Sequence, residues 1–155
     1  MRALQISAYG DPFNVLELVD IPEPGAPGEA EVLIDVELAP LNSHDLLFIR
    51  GFFGGPPAPT VVGNEGFGRV AAVGPGVTNV KVGDHVLAPN LGLTWRERLI
   101  GPAQGLFPLP DGDRLQLAQL GSNPPTAALI LSEYVTSSPV IGSFKMQGIR
   151  ALVGL

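Results

Sequence analysis

The sequence predicts a mainly β protein with short helices, and three observations carry that reading. Apolar residues recur in short runs that alternate with polar ones, the pattern of a strand with one buried face. Glycine (20 residues) and proline (16 residues) make up nearly a quarter of the 155-residue chain, so regular elements are interrupted often and stay brief. Apolar residues nonetheless reach 45%, enough to mark a turn-rich folded chain rather than a disordered one, and the length fits one domain with a core of its own.

RALQISA (2–8) alternates, and LELVDIP (16–22) alternates again after the turn-like YGDPFN. PEPGAPGEAE breaks the pattern before EVLIDVELA, where Val32, Ile34, Val36 and Leu38 share one face and Glu31, Leu33, Asp35 and Glu37 the other, as a period of two requires. NSHDLLFIRG reads as a short helix: Asn42 or Ser43 caps it, Asp45 suits its first turn, Leu46 and Ile49 line one side, and Gly51 stops it. FFGGPPAPT cannot continue a regular element and predicts a loop at a binding edge. FGRVAAVG then reads as a strand, GPGV as a tight turn, VTNV as a brief run and KVGDHVLAP as a further strand. LTWRERLI reads as another strand cut by Gly-Pro, and DRLQLAQLGSNPPTAALILSEYV carries two helical patches, with Pro124 and Pro125 near the start of the second, where a missing amide donor costs little. TSSPVIGS is linker-like, and GIRALVGL is an apolar strand candidate.

Composition excludes several function classes. A net charge of −6 with no basic cluster argues against nucleic-acid and anionic-membrane binding. The chain has no cysteine, so disulfides, thiolate zinc sites and cysteine nucleophiles are out. No 18-residue apolar span and no leader-like segment can be read from it, which predicts a cytoplasmic chain that does not enter membranes. The glycine-rich stretch VVGNEGFGRVAAVGPGV (61–77) poses a choice between phosphate cradle, metal site and sheet turns. A dinucleotide loop needs a strand, the glycines and then a helix, whereas Gly63, Gly66 and Gly68 lead into a β run, so the stretch reads as sheet architecture.

Taken in order, EVLIDVELAPLNSHDL, PTVVGNEGFGRVAAVGPGVTNVKVGDHV, TWRERL and SNPPTAAL resemble the GroES-like catalytic domain of the medium-chain dehydrogenase/reductase superfamily over roughly residues 2–134. GNEG, a Trp-Arg step and NPPTA together are most similar to its zinc-free branch of quinone oxidoreductases and 2-enoyl thioester reductases. The resemblance implies a partly open β-barrel, normally fused to a Rossmann domain with NADPH in the cleft between them. It also implies that the Rossmann domain is missing here, with residues 1–135 as the GroES-like domain, 136–148 as a linker replacing it, and 149–155 as a returning strand.

Metal-binding relatives carry a histidine before the glutamate of the GNEG-like motif; here that position is Asn64. A neutral amide is a poor zinc ligand, and His44 and His85 are far apart in sequence, so no metal is expected. Glu65 is expected to bond the backbone of neighbouring turns. His44, at the family's cleft edge, is a candidate proton shuttle, with a partly exposed loop histidine as the plainer reading. His85 groups with surface residues. Enoyl reductases of the family carry a tyrosine in the loop after the short helix, where this chain has Phe53 beside Phe52; phenylalanine has no proton to give, and both rings serve a substrate wall or the core. The resemblance places Asn42, Asn123 and Thr126 near the nicotinamide, and for the two asparagines helix capping is the parallel reading. Trp95 and Arg96 either shape the cleft or form an ordinary sheet pair.

Two functions follow as expectations. The first is the substrate half of a zinc-independent, NADPH-dependent reductase of a carbonyl, quinone or enoyl thioester, inactive and without cofactor when alone. The second is a truncated or engineered GroES-like module without enzymatic activity, self-associating through the cleft face that the missing half leaves exposed.

Overall fold

The computed structural model describes residues 1–89 and 92–134, so the linker and returning strand expected at 136–148 and 149–155 lie outside the described residues. Among the described residues, seven strands form two antiparallel sheets: β1 (Arg2–Ile6), β2 (Leu16–Asp20), β3 (Glu31–Leu38), β4 (Thr60–Val61), β5 (Phe67–Val73), β6 (His85–Leu87) and β7 (Arg98–Pro102). The first sheet has the order β2-β1-β4 and the second β6-β5-β3-β7. Four short helices among the described residues accompany them, α1 (Pro12–Val15), α2 (Ser43–Ile49), α3 (Arg114–Leu117) and α4 (Asn123–Leu129), the last running into a wider π turn at Ile130–Tyr134. The mainly β class is as expected, while the two sheets do not close into a barrel.

The segment before β7 stitches the sheets together. Leu4 N–H donates to Trp95 O (2.8 Å), Trp95 N–H to Val62 O (2.9 Å) and Glu97 N–H to Arg2 O (3.2 Å), and Ala3 bridges Arg96. Each sheet backs its own core. Val32, Ile34, Val70, Val80, Val86, Ala88, Leu99, Ala103 and Leu106 fill one. Ile6, Ile49, Val62 and Trp95 fill the other, which seats α2 against β1. The alternation of β3 holds at Val32 and Ile34, both fully buried, and a register irregularity after Leu33 brings Ile34 opposite Val70, re-aiming the strand as a bulge does.

Several elements differ from the sequence reading. The YGDPFN turn contains α1, because Asp11 accepts from Phe13 N–H (3.2 Å) and Pro12 occupies the first helical turn, where its missing donor is harmless. The proline-glycine loop holds the two-residue β4, paired with β1 at Gln5 and Ile6. VTNV forms no strand; Asn79 instead donates to Ala103 O (2.8 Å) and Leu106 O (2.7 Å). Gly101-Pro102 does not cut β7 but ends it, opposite Val32 and Glu31, and β7 is an edge strand, where proline's missing N–H breaks no inner ladder. Among the described residues no helix is long and apolar enough to cross a membrane.

Candidate functional site

The site begins at the N-terminus of α2. Asp45 is 2% exposed; one of its carboxylate oxygens accepts the Asn42 N–H (2.8 Å) and the other the Asn64 N–H (3.0 Å). A single side chain thus closes the first turn of α2, where N–H groups lack intrahelical partners, and clips it to the Gly63–Asn64–Glu65 loop. That loop is held from behind as well: Thr94 N–H donates to Gly63 O (3.0 Å), and the buried Thr94 hydroxyl donates to Glu65 O (2.6 Å). Gly63 has φ +101°, a left-handed conformation that favours glycine, and a Cβ there would run into the Trp95 indole.

With the helix closed by Asp45, the Asn42 side chain turns to Glu65, its Nδ2 donating to Glu65 Oε2 at 2.6 Å. Asn42 Oδ1 accepts a longer bond from Asn123 Nδ2 (3.4 Å), which also reaches Gln119 Oε1 (3.4 Å). Glu65 is 4% exposed, and its Oε1 has no partner among the described residues. The turn between α3 and α4 closes over this carboxylate at Gly121, where a Cβ would sit 2.5 Å from Oε1. The expectation that Glu65 bonds backbone turns is therefore corrected: its side-chain partner is the Asn42 amide. Asn123 is the first residue of α4 and Ser122 stands at the cap position, so the capping alternative for Asn123 is not realised. Thr126 is exposed on α4.

In the same first turn of α2, His44 lies over Phe53 with ring centroids 4.7 Å apart and planes 15° from parallel. These rings, with Phe48, Gly63, Asn64 and Leu93, line a cavity of about 520 Å³. Its rim is braced by Tyr9, whose hydroxyl donates to Pro56 O (2.7 Å) and whose ring meets Phe48 edge-on. Phe52, 74% exposed, does not line this cavity. Trp95 is 9% exposed and part of the α2 core; with Arg96 it borders a different, open groove of about 470 Å³ along Leu4, Leu16, Val36 and Leu41. Phe53 thus borders the cavity, and Trp95 and Arg96 the groove. Arg96 donates to Gly92 O (3.1 Å), its Nε lacks a partner among the described residues, and burial pulls its guanidinium below the ordinary arginine value.

His85 is far from this region, half-buried and stacked on Phe67 (5.1 Å), with Nε2 3.7 Å from Glu37. Among the described residues no group of three or more His, Cys, Asp or Glu side chains could hold a metal ion. The site offers the Asn42 and Asn123 amides to a polar ligand with hydroxyl or carboxamide groups, beside a ring-lined cavity for an apolar one. Sequence reasoning missed the second role of Asp45. Its Asn-x-x-Asp spacing signals the helix start, but nothing local signals the contact to Asn64.

A family model described as the alcohol dehydrogenase GroES-like domain matches residues 28–111. The mitochondrial enoyl-[acyl-carrier-protein] reductase of Bos taurus is 42% identical over 142 residues, covering 90% of this chain and 38% of that protein. The solved quinone oxidoreductase of Pseudomonas syringae is 35% identical with a TM-score of 0.76, covering 89% of this chain and 42% of that one. The Escherichia coli quinone oxidoreductase complexed with NADPH is 25% identical with a TM-score of 0.78, covering 90% of this chain and 43% of that one. The chain therefore spans roughly 40% of the length of each.

Proposed function

We propose, on the premise that this chain belongs to the alcohol dehydrogenase GroES-like domain family matched over residues 28–111, that it forms the substrate side of a zinc-independent, NADPH-dependent reductase of quinones or enoyl thioesters. The observation that carries the reading is the adjacency of two features on α2: the Glu65–Asn42–Asn123 network at its start and the His44–Phe53 cavity beside it. Asn42 and Asn123 fit the nicotinamide end of the cofactor, since amides can both donate to and accept from carboxamide and hydroxyl groups. NADPH supplies the reducing electrons when bound, so the chain's own contribution is orientation, water exclusion and a proton. Phe48, Phe53 and Leu93 pack the apolar body of the acceptor. His44, stacked on Phe53, exchanges the proton that a phenylalanine cannot. Asn64, where metal-binding relatives have histidine, suits a reaction that needs no zinc.

The test joins this chain to the remaining sequence of one of its relatives in a single polypeptide and follows NADPH oxidation with a quinone and with a short enoyl thioester. Turnover of either acceptor that falls on His44→Gln supports the reading; no oxidation above buffer with both ends it. The second reading, a non-enzymatic self-associating module, draws on the exposed Phe52, Leu129 and Ile130. Sedimentation of the 155-residue chain tests the second reading, because a monomer removes the self-association, and micromolar NADPH binding by this chain alone would also count against the module.

A further inference from the structure

We infer that Glu65 is a positioning residue whose carboxylate sets the direction of both asparagine amides; the inference rests on the reductase reading only for the ligand those amides meet. The argument starts from donor and acceptor chemistry. A carboxylate accepts and does not donate, so the group 2.6 Å from Glu65 Oε2 must be the Asn42 NH₂. Oxygen and nitrogen of an amide are otherwise interchangeable in shape, and only such a partner decides between them. With Asn42 Nδ2 committed, its Oδ1 faces Asn123 and demands a donor, which orients the second amide in turn (3.4 Å). Gln119 Oε1 reinforces that choice by accepting from the same Asn123 Nδ2 (3.4 Å).

The direction therefore passes from a buried acid at residue 65, through the cap of α2, to the first residue of α4. Burial makes it firm: Glu65 is 4% exposed, and Gly121 allows the α3–α4 turn to cover it. The relay ends at Asn123 Oδ1, an acceptor. A ligand group meeting it must donate, as a ribose hydroxyl or a carboxamide NH₂ does.

The experiment records the side-chain amide signals of the 155-residue chain by ¹⁵N-resolved NMR, with Asn42 and Asn123 assigned through Asn42→Ser and Asn123→Ser. Glu65→Met removes the acceptor, so the NH₂ pairs of both asparagines should shift, although Asn123 does not touch residue 65. The backbone signals of Asn42 and Asn64, held by Asp45, should stay. An Asn123 pair that stays at its wild-type position overturns the relay, whatever happens to the melting temperature. Should Glu65→Met not fold, thermal melts of Asn42→Asp and Asn42→Asp/Glu65→Gln decide it. The single change sets two acceptors against each other and lowers the melting temperature, and the added glutamine restores a donor and rescues it; absence of rescue overturns the inference. Neither measurement contains cofactor, so the result stands apart from the NADPH-oxidation assay that tests the reductase reading.

Discussion

Replacing Asp45 with alanine removes both acceptors that join α2 to the Gly63–Glu65 loop. The Asn42 N–H (2.8 Å) and the Asn64 N–H (3.0 Å) lose their charged partner together. Each partly buried donor left without an acceptor costs about 1–3 kcal/mol, and the lost charge in the first helical turn adds about 0.3–1 kcal/mol. Both donors are only partly buried, so water recovers some of this, and a net loss of about 3 kcal/mol is expected. For a domain of this size that corresponds to a melting temperature lower by about 10 °C. Asp45→Asn keeps one acceptor and should lose about half as much. Urea unfolding followed by circular dichroism measures it, with an unchanged denaturant slope if only native-state bonds are lost. A loss below about 0.5 kcal/mol for Asp45→Ala, the range of an ordinary surface change, would refute the clip.

Gly63→Ala sets a Cβ against the Trp95 indole at a left-handed backbone position, so a destabilisation of about 2 kcal/mol or more is expected; because Trp95 is the sole tryptophan, its emission should shift as well, and an unchanged spectrum with an unchanged melt would contradict the packing. Acid sensitivity follows from two carboxylates. Asp84 is held below its ordinary value of 3.8 chiefly by the Lys81 backbone N–H, and Glu97 below its ordinary 4.5 by the Arg2 backbone N–H and then its side chain. Lowered folded values mean that their stabilisation is complete above those ordinary values and lost as pH falls through the depressed ones. Asp84→Asn/Glu97→Gln should therefore melt with a weaker pH dependence below pH 4.5 than the wild type, and parallel curves would sink the assignment.

What the sequence determined by itself was whatever a few neighbouring residues decide. The period of two made Val32 and Ile34 core, Asn42 and Asp45 marked the start of α2, and Pro124 fitted the first turn of α4. Even some local elements escaped, as α1 did behind its Asp-Pro turn signal, since turn and helix share the same opening residues. Tertiary structure alone decided the site. Asn42 meets Glu65 across 23 residues and Asn123 across 81, and Trp95 lies in the α2 core while Phe53 lies on a separate cavity. The reason is physical: alternation and caps depend on backbone geometry within one turn or pleat, whereas which side chains converge depends on how β1, β4 and the strap before β7 pair, and strand pairing is chosen by the packing of the whole core.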